Sequence, residues 1–347
     1  MLYVTTRGKN DAFTAARTMN SDRGPDGGLF IPMRLPVFTK DEIIALADRS
    51  YGQNVADILN LFFATKLTAW EVEMSIGRTP CKFRNMNYRI IVSELWHNMS
   101  NHFDRAINVL AQRIHPDGQL IGEPSNWVKT AVRIAALFGM FGELQRMGQV
   151  RVDTPVDVAV PAGSFSAPMA AWYGRKMGLP IGTIICGCNE NSALWDLINR
   201  GQLDTGAQAV STNTPDGDLA VPSDLERLIC ETCDQSEAMN FYWSCAEGGT
   251  YVPSQFAYDS IRQGMAAAVI SRSREEMIIP SVYHTSKYIL DPYSALAYGA
   301  LSDHRARNGS SRTVLLICER SPICSSETVA NSMRITVSEL KRLVIEL

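Results

Sequence analysis

Strands and helices alternate in the second half of this chain, and this alternation restricts the fold more than any other feature of the sequence. The β-rich run at residues 156–160 leads through a turn to a helical stretch at about 167–177. A second apolar run at 181–186 leads to a helical stretch at 192–199. Strand–helix units of this kind pair as parallel strands with helices on both faces. The sequence therefore predicts a three-layer α/β/α domain with a mainly parallel sheet.

Further helices and strands are predicted around this unit. Thr39 and Glu42 have the spacing of a capping box, which predicts the start of a helix. Apolar residues recur at helical spacing in several other segments. The remaining predicted elements are helices at 55–63, 104–114 and 127–147, of which the last is rich in small and apolar residues and expected to be buried, and strands at 88–92 and 314–318.

Composition excludes several classes of partner. The 347 residues are 46% hydrophobic and 20% charged, and the net charge of −3 gives no electrostatic reason to expect nucleic acid or an anionic membrane. No apolar run approaches the roughly 20 residues that a membrane-spanning helix needs, and the first residues lack the pattern of a signal peptide. We therefore expect a cytoplasmic protein with neither nucleic acid nor membrane as partner.

The cysteines allow two interpretations. Cys186, Cys188, Cys230 and Cys233 could supply four thiolate ligands to zinc. Alternatively, Cys186 ends an apolar run typical of a buried strand, and Cys230 and Cys233 lie one turn apart on a predicted helix, where small apolar side chains pack well. We favour packing, and we expect no disulfide framework in a long chain without a signal peptide.

Short stretches spread over most of the chain resemble one family in its own order. They are residues 3–8 (YVTTRG), 25–32 (PDGGLFIP), 125–127 (SNW), 160–165 (VPAGSF), 177–181 (MGLPI), 189–191 (NEN) and 288–295 (YILDPYSA). Each resembles the corresponding motif of the threonine synthases. The resemblance implies the tryptophan synthase β-like fold of pyridoxal phosphate (PLP) enzymes, fold type II. It also implies a small N-terminal region at 1–80 and a large domain at 81–347.

The stretch at residues 95–105 (LWHNMSNHFDR) resembles the family's segment around its catalytic lysine, which forms a Schiff base with PLP. Phe103 falls on the family's phenylalanine and Asp104 falls on the lysine. A carboxylate cannot form an imine, so we expect no Schiff-base cofactor, and noncovalent PLP binding stays open. Asp104 could act as a general base or an ion-pair partner in the former cofactor pocket. The alternative, which we favour, is a residue placed at a helix N-terminus by the helix dipole.

Other departures affect the same apparatus. The family's smaller, mobile lobe is reduced here to about residues 114–124, and its SGDTG loop is missing. Glu319 falls on the threonine that faces the pyridine nitrogen in the family, and Ser164 and Ser166 fall on its asparagine and glycine. Because an unpaired buried carboxylate is costly, we expect Glu319 to pair with Arg320, with another basic group or with water.

Gly163, Ser164, Phe165 and Ser166 form the best candidate for a binding loop, because the resemblance places them in the family's phosphate cradle. A glycine-containing turn at a helix N-terminus presents N–H groups and a positive dipole end to an anion. The alternative is a plain strand-to-helix turn with serine caps. The predicted ligand is a small phosphorylated or amino-acid-like molecule.

His97 and Lys129 are weaker candidates. His97 matches a family histidine, and it could act in acid–base chemistry or be a packed side chain. Lys129 falls at the arginine of the family's NWAR motif, which the resemblance associates with the substrate side of the site. It could bind a substrate anion as a point charge, replace the missing Schiff-base lysine, or lie on a helix surface.

Three functions follow from these observations. The favoured one is a non-catalytic binding or regulatory pseudoenzyme. The second is an enzyme of the lyase or transferase class with lysine-independent chemistry that uses His97, Asp104, Lys129 and Glu319. The third is a partner subunit of another enzyme. Because loss of the smaller lobe would uncover apolar surface, we also expect a homo-oligomer or a complex with another enzyme.

Overall fold

The computed structural model describes residues 1–8, 11–76, 81–87, 89–96, 103–114 and 125–346. The strands are β1 (Leu2–Thr5), β2 (Phe13–Thr14), β3 (Phe30–Pro32), β4 (Lys82–Met86), β5 (Ile90–Glu94), β6 (Val156–Pro161), β7 (Ile181–Cys188), β8 (Leu203–Asp204), β9 (Thr250–Tyr251), β10 (Met265–Val269) and β11 (Val314–Cys318). The α-helices are α1 (Ala15–Asn20), α2 (Lys40–Ile44), α3 (Tyr51–Phe63), α4 (Ala69–Ile76), α5 (Phe103–Ile114), α6 (Trp127–Arg146), α7 (Ser166–Lys176), α8 (Ala193–Arg200), α9 (Asp224–Thr232), α10 (Gln235–Glu247), α11 (Gln255–Arg262), α12 (Arg272–Ser286), α13 (Pro292–Asn308), α14 (Ser326–Met333) and α15 (Val337–Glu346).

A mainly parallel sheet forms the centre of the molecule. Its strands lie in the order β10-β7-β6-β11-β5-β4, and within the described residues only β4, at the edge, runs antiparallel to its neighbour. Successive side chains of a strand point to opposite faces. Val158 of β6 belongs to the buried cluster that includes residues of α6 and α7, whereas Ala159 belongs to the cluster that includes residues of α12 and α13. The predicted three-layer α/β/α fold is thus confirmed.

The N-terminal residues share their core with the long helix α6. Strands β2, β1 and β3 form a small antiparallel sheet. The indole of Trp127, at the start of α6, makes edge contacts with Tyr3, Phe62 and Tyr173, with ring centroids 5.3 to 5.7 Å apart. Such aromatic pairs add to the free energy of burial. The division of the chain at residue 80 stays a prediction.

The predicted elements are present, with boundaries shifted by a few residues. The capping box of Thr39 and Glu42 opens α2, and β11 has the predicted bounds. The strand expected at 88–92 is β5, which begins two residues later, and Tyr88 lies outside the described residues. The reduced lobe, predicted at about 114–124, falls almost wholly outside them. No helix in the described ranges has the length and apolar character to cross a bilayer.

The cysteine predictions have mixed outcomes. Cys186 and Cys188 are buried on β7, and Cys230 is buried on α9 beside Ile31. The prediction that Cys233 shares a helix with Cys230 is wrong, because α9 ends at Thr232 and the next residue leaves helical geometry. In the described part of the chain, no group of three or more histidine, cysteine or acidic side chains is arranged to hold a metal ion.

Gly187 allows helix α13 to approach the sheet closely. A methyl group at this position of β7 would clash with the backbone of Leu296 and Ala297 in the middle of α13. The helix therefore rests directly on the strand, and its first residues lie at the carboxyl edge of the sheet. Crevices at this edge are the usual ligand sites of parallel α/β sheets.

Candidate functional site

A cavity of about 260 Å³ opens at the carboxyl ends of β6 and β11. Three elements supply most of its wall: the loop after β6, one face of α6 and the start of α13. Side chains that follow β11 complete it. The lining residues used below are Lys129, Arg133, Gly163, Ser164, Ser166, Asp216, Asp291, Tyr293, Glu319 and Arg320. Cavities of roughly this size and larger hold small ligands in proteins.

The loop between β6 and α7 makes a sharp turn into the cavity. Its first amide, of Ala162, donates to the carbonyl of Gly187 at 2.7 Å, and the amide of Phe165 turns back to the carbonyl of Ala162 at 2.7 Å. Gly163 and Phe165 have φ angles of 47° and 72°. A bulky residue in this left-handed region is unusual and is often found at functional sites. The turn directs the N-terminus of α7 towards the cavity, as an anion-binding loop requires.

The two serines of this loop have different surroundings. Ser166 is 3% exposed, and its hydroxyl donates to Asp224 at 3.0 Å. Ser164 is half-buried, and its Oγ lies 3.1 Å from that of Ser166. Ser166 therefore anchors the loop to the core, whereas Ser164 supplies a hydroxyl on the cavity side.

A fully buried ion pair lies behind the loop. Asp224 pairs with Arg227, and both side chains are 0% exposed. Arg227 also donates to the carbonyl oxygens of Phe30 at 3.2 Å and Ser125 at 2.8 Å. Burial raises the pKa of Asp224, while the charge of Arg227 opposes this change. Because Ser166 bonds to Asp224, the pair connects the loop with the N-terminal region and the start of α6.

Glu319 forms a two-point ion pair with Arg133. The Nε and Nη2 atoms of Arg133 donate to the two carboxylate oxygens at 3.0 Å each, and the side chains are 11% and 17% exposed. The expectation that Glu319 pairs with a basic group is confirmed, but Arg320 is not that group. Arg320 pairs with Asp216 and stacks over the ring of Tyr293, 4.1 Å from its centroid.

Arg133 was absent from the sequence-based candidates, although one signal pointed to it. It lies four residues after Lys129 on α6, and residues at this spacing share a helix face. The structure places both side chains on the cavity wall with Glu319. Two of the predicted candidates, Lys129 and Glu319, are therefore brought together.

The other two candidates are only partly described. His97 lies outside the described residues. Asp104 is in the first turn of α5, but its side chain lies outside the described part of the structure. The preceding residue, Phe103, donates its amide to the carbonyl of Glu319 at 2.8 Å. The backbone of α5 therefore starts directly beside the end of β11, and the roles suggested for His97 and Asp104 stay predictions.

Asp291 caps the helix that closes the cavity. It accepts hydrogen bonds from the amides of Tyr293 at 3.2 Å and Ser294 at 3.1 Å, and also from the Ser294 hydroxyl. Burial raises the pKa of Asp291 to about 6 although these bonds favour the charged form. The sequence resemblance included this segment but gave its side chains no role.

The phosphate group and the Schiff base of PLP differ in how they fit this site. The turn at Gly163 and Ser164 fits a phosphate group, because it combines a helix N-terminus with a hydroxyl donor. The rest of the chain does not fit a Schiff-base cofactor: the resemblance places Asp104, whose side chain lies outside the described part of the structure, at the lysine, and the Arg133–Glu319 pair lines the cavity. Among the described residues, Lys129 is the only lysine that lines the cavity. We therefore derive no reaction step through PLP.

Comparisons with known proteins find threonine synthases and threonine synthase-like proteins. Residues 2–79 match the family described as "Threonine synthase N terminus". Human "Threonine synthase-like 1" is 30% identical over 175 residues, which cover 50% of this chain and 24% of the human protein. The chain thus matches about a quarter of the length of that curated relative.

Two further matches extend over most of the chain. Threonine synthase from Pseudomonas aeruginosa is 21% identical over 402 aligned positions, covering 88% of this chain and 85% of the enzyme. Since 402 exceeds the 347 residues of this chain, part of the alignment has no counterpart here. The crystal structure of PLP-bound threonine synthase from Brucella melitensis superposes with a TM-score of 0.82 at 19% identity, covering 99% of this chain and 94% of that one. This likeness shows that the fold is shared.

Proposed function

Since this chain belongs to the threonine synthase-like family and has the PLP fold type II, we propose that it binds a small phosphorylated or amino-acid-like anion and forms no Schiff base. It is then a non-catalytic binding or regulatory protein of the cytoplasm. The observation that carries the proposal is the contrast within one cavity: the phosphate-type turn at Gly163 lines it, and so does the Arg133–Glu319 ion pair.

The loop end supports anion binding through geometry and charge. The start of α7 offers backbone N–H groups and a positive dipole end, and Ser164 adds a hydroxyl. Lys129 adds a positive charge to the cavity wall. Two of the three acidic side chains on the wall are offset by ion pairs, Glu319 with Arg133 and Asp216 with Arg320. The third, Asp291, accepts hydrogen bonds from the amides of Tyr293 and Ser294. A dianion such as phosphate therefore meets donors and a cation here.

Residue chemistry supports the absence of Schiff-base catalysis. The family enzyme needs an amine on the helix that begins at Phe103, and Asp104 cannot supply one. All eight cysteines are free thiols, which suits the reducing cytoplasm that the proposal assumes. In this proposal the chain's residues bind and orient an anion, and none of them transfers a proton to it.

Calorimetric titration tests the binding part of the proposal. Inorganic phosphate and O-phosphoserine should bind the purified protein. The variant Lys129→Met should bind either probe roughly tenfold more weakly, because a charge-assisted contact worth about 1.4 kcal/mol is lost. Lys40→Met removes an exposed lysine at the start of α2 and is the matched control. Equal affinities for the wild type and Lys129→Met would contradict the assigned role of Lys129.

Absorbance and reduction with PLP test the chemical part. We expect no aldimine absorbance band when PLP is added, and no modified lysine after borohydride reduction and peptide mapping. A specific modification of Lys129 would contradict the proposal and would mean that Lys129 replaces the missing Schiff-base lysine. The alternative enzyme with lysine-independent chemistry is a separate candidate, and the shared cavity of Lys129 and Glu319 is the observation that favours it.

The partner-subunit alternative is favoured by exposed apolar side chains on α4. Trp70 is 63% exposed and Met74 is 59% exposed, and α4 packs against α5, the helix that carries Asp104. Light scattering during size-exclusion chromatography should detect a homo-oligomer or a complex if this surface is covered by another chain. A monomer at every concentration would count against a homo-oligomer.

A further inference from the structure

The Arg133–Glu319 pair forms a wall between two cavities. Both residues line the main cavity at the Gly163 loop. Both also line a smaller cavity of about 10 Å³, whose other walls include Leu95, Phe103 and Met140. The smaller cavity has room for about one water molecule. Together with Ala167 and Ile317, which also line both cavities, the pair thus lies between the anion-binding loop and the space beside the start of α5.

The pair is held from both sides. A two-point arginine–carboxylate contact has a fixed geometry, and its partial burial reduces screening by salt. Glu319 cannot move far with its backbone, because its carbonyl accepts the amide of Phe103, and the carbonyl of Cys318 accepts the amide of Leu95 at 2.9 Å. Arg133 extends from the middle of α6, where its neighbours Val132 and Ile134 are fully buried.

We propose that this pair is a stopper that restricts the site to small acyclic anions and keeps out an aromatic ring such as the pyridine ring of PLP. The inference rests on the proposed function and names the ligand class of the same site. A planar ring that extended from the loop past the pair would have to part Arg133 from Glu319. Both charges would then lose their partner where they are only 11% and 17% exposed, which is the costly way to disrupt a largely buried pair.

A double substitution tests the stopper. Arg133→Ala with Glu319→Ala removes both side chains and leaves no unpaired charge behind. The probes are inorganic phosphate and 4′-deoxypyridoxine 5′-phosphate, a PLP analogue without the aldehyde, so that any binding is noncovalent. We expect the double variant to bind the analogue at least about tenfold more tightly than the wild type does. Its affinity for phosphate should change by less than about threefold.

The matched control is the pair Arg7–Glu226. It is also a two-point contact, with distances of 2.9 and 2.7 Å and exposures of 12% and 6%, and neither residue lines a cavity described above. Arg7→Ala with Glu226→Ala should not change the affinity for the analogue. If the Arg133 and Glu319 double alanine variant does not fold, Arg133→Met with Glu319→Gln removes the charges and keeps most of the volume. It should then show a smaller gain for the analogue.

Two results would overturn the stopper: a folded pair variant that gains no affinity for the analogue, or a wild type that binds the analogue more than about tenfold tighter than phosphate. Failure of the wild type to bind phosphate or O-phosphoserine would instead contradict the proposed function. In that case the analogue titration still tests the stopper. A higher affinity of the double variant for the analogue supports the stopper, and an unchanged affinity refutes it.

Discussion

Two arginine–carboxylate pairs lie near the Gly163 loop, and the same kind of ion pair has a different role in each. Arg227 and Asp224 are fully buried, and Arg227 also donates to two backbone carbonyls. Arg133 and Glu319 are slightly exposed and have a cavity on each side. The first pair lies within a network that reaches three parts of the chain, whereas the second lies between two cavities.

The difference shows how the surroundings of an ion pair determine what it can do. Loss of Arg227 would remove its hydrogen bonds to the carbonyls of Phe30 and Ser125 and would leave the buried carboxylate of Asp224 without its cationic partner. Replacement of both Arg133 and Glu319 would leave a larger cavity. A core pair is therefore part of the scaffold, whereas both members of a pair at a cavity can be replaced without leaving an unpaired charge in the core.

Arg227→Leu should give the largest loss of stability. We expect the free energy of unfolding to fall by about 3–5 kcal/mol, because a buried carboxylate loses its partner. In contrast, Arg133→Leu combined with Glu319→Leu should cost about 1 kcal/mol or less, since no charge is left unpaired. Urea unfolding of both variants measures the two values. Similar losses in the two variants would break the distinction between scaffold pair and cavity pair.

Asp291→Asn should change how stability depends on pH. Burial raises the pKa of Asp291 to about 6 in the folded protein, whereas an ordinary aspartate titrates near 3.9. The folded state therefore binds the proton of the Asp291 carboxyl group more tightly than the unfolded state does. The contribution of this group to the free energy of unfolding is full below about pH 4 and is lost as the pH rises through about 6. Asparagine keeps the cap but cannot ionise. The variant should gain up to about 2–3 kcal/mol relative to wild type between pH 4 and pH 7.

Asp234→Asn is the matched control for this experiment, because Asp234 caps α10 but is exposed. Thermal unfolding of both variants and the wild type at pH 4 and pH 7 gives the comparison. If the stability difference between Asp291→Asn and the wild type does not change with pH, the pKa of Asp291 is not raised in the folded protein.

The serines of the loop offer the finest test, because they are two residues apart and Ser166 is the one whose hydroxyl bonds to Asp224 in the core. Ser166→Ala should lower the free energy of unfolding by about 1–2 kcal/mol, since Asp224 loses a buried hydrogen-bond donor. Ser164→Ala should change stability by less than about 0.5 kcal/mol and weaken phosphate binding a few-fold. Chemical unfolding and calorimetric titration of both variants measure these effects. The reverse pattern would mean that Ser164, not Ser166, ties the loop to the core.

Most of the fold could be predicted from the sequence, because it depends on local patterns. The run of β-branched and apolar residues at 314–318 has the bounds of β11, and the Thr39 and Glu42 pair opens a helix. These signals act over a few residues, and over that range residue propensity and helix capping determine the backbone conformation. Helix ends such as that before Cys233 depend on how the following turn packs, so they were less accurate.

The site was harder to predict, because its contacts join distant residues. Glu319 was expected to pair with a basic group, but its partner lies 186 positions away on α6. Arg320, adjacent in sequence, points instead to Asp216 and Tyr293. Neighbouring residues at the end of a strand diverge, since alternate side chains leave on opposite sides. Only the packing of α6 against the sheet determines that Arg133 is within reach.

The close contact between Gly187 and α13 has a consequence for redesign. The start of α13 carries Asp291 and Tyr293 into the cavity, and the helix keeps its position because Gly187 has no side chain. Any larger residue at 187 would push the whole helix outward, together with every group at its tip. A mutant library intended to reshape the binding site should therefore vary the wall residues and leave position 187 unchanged.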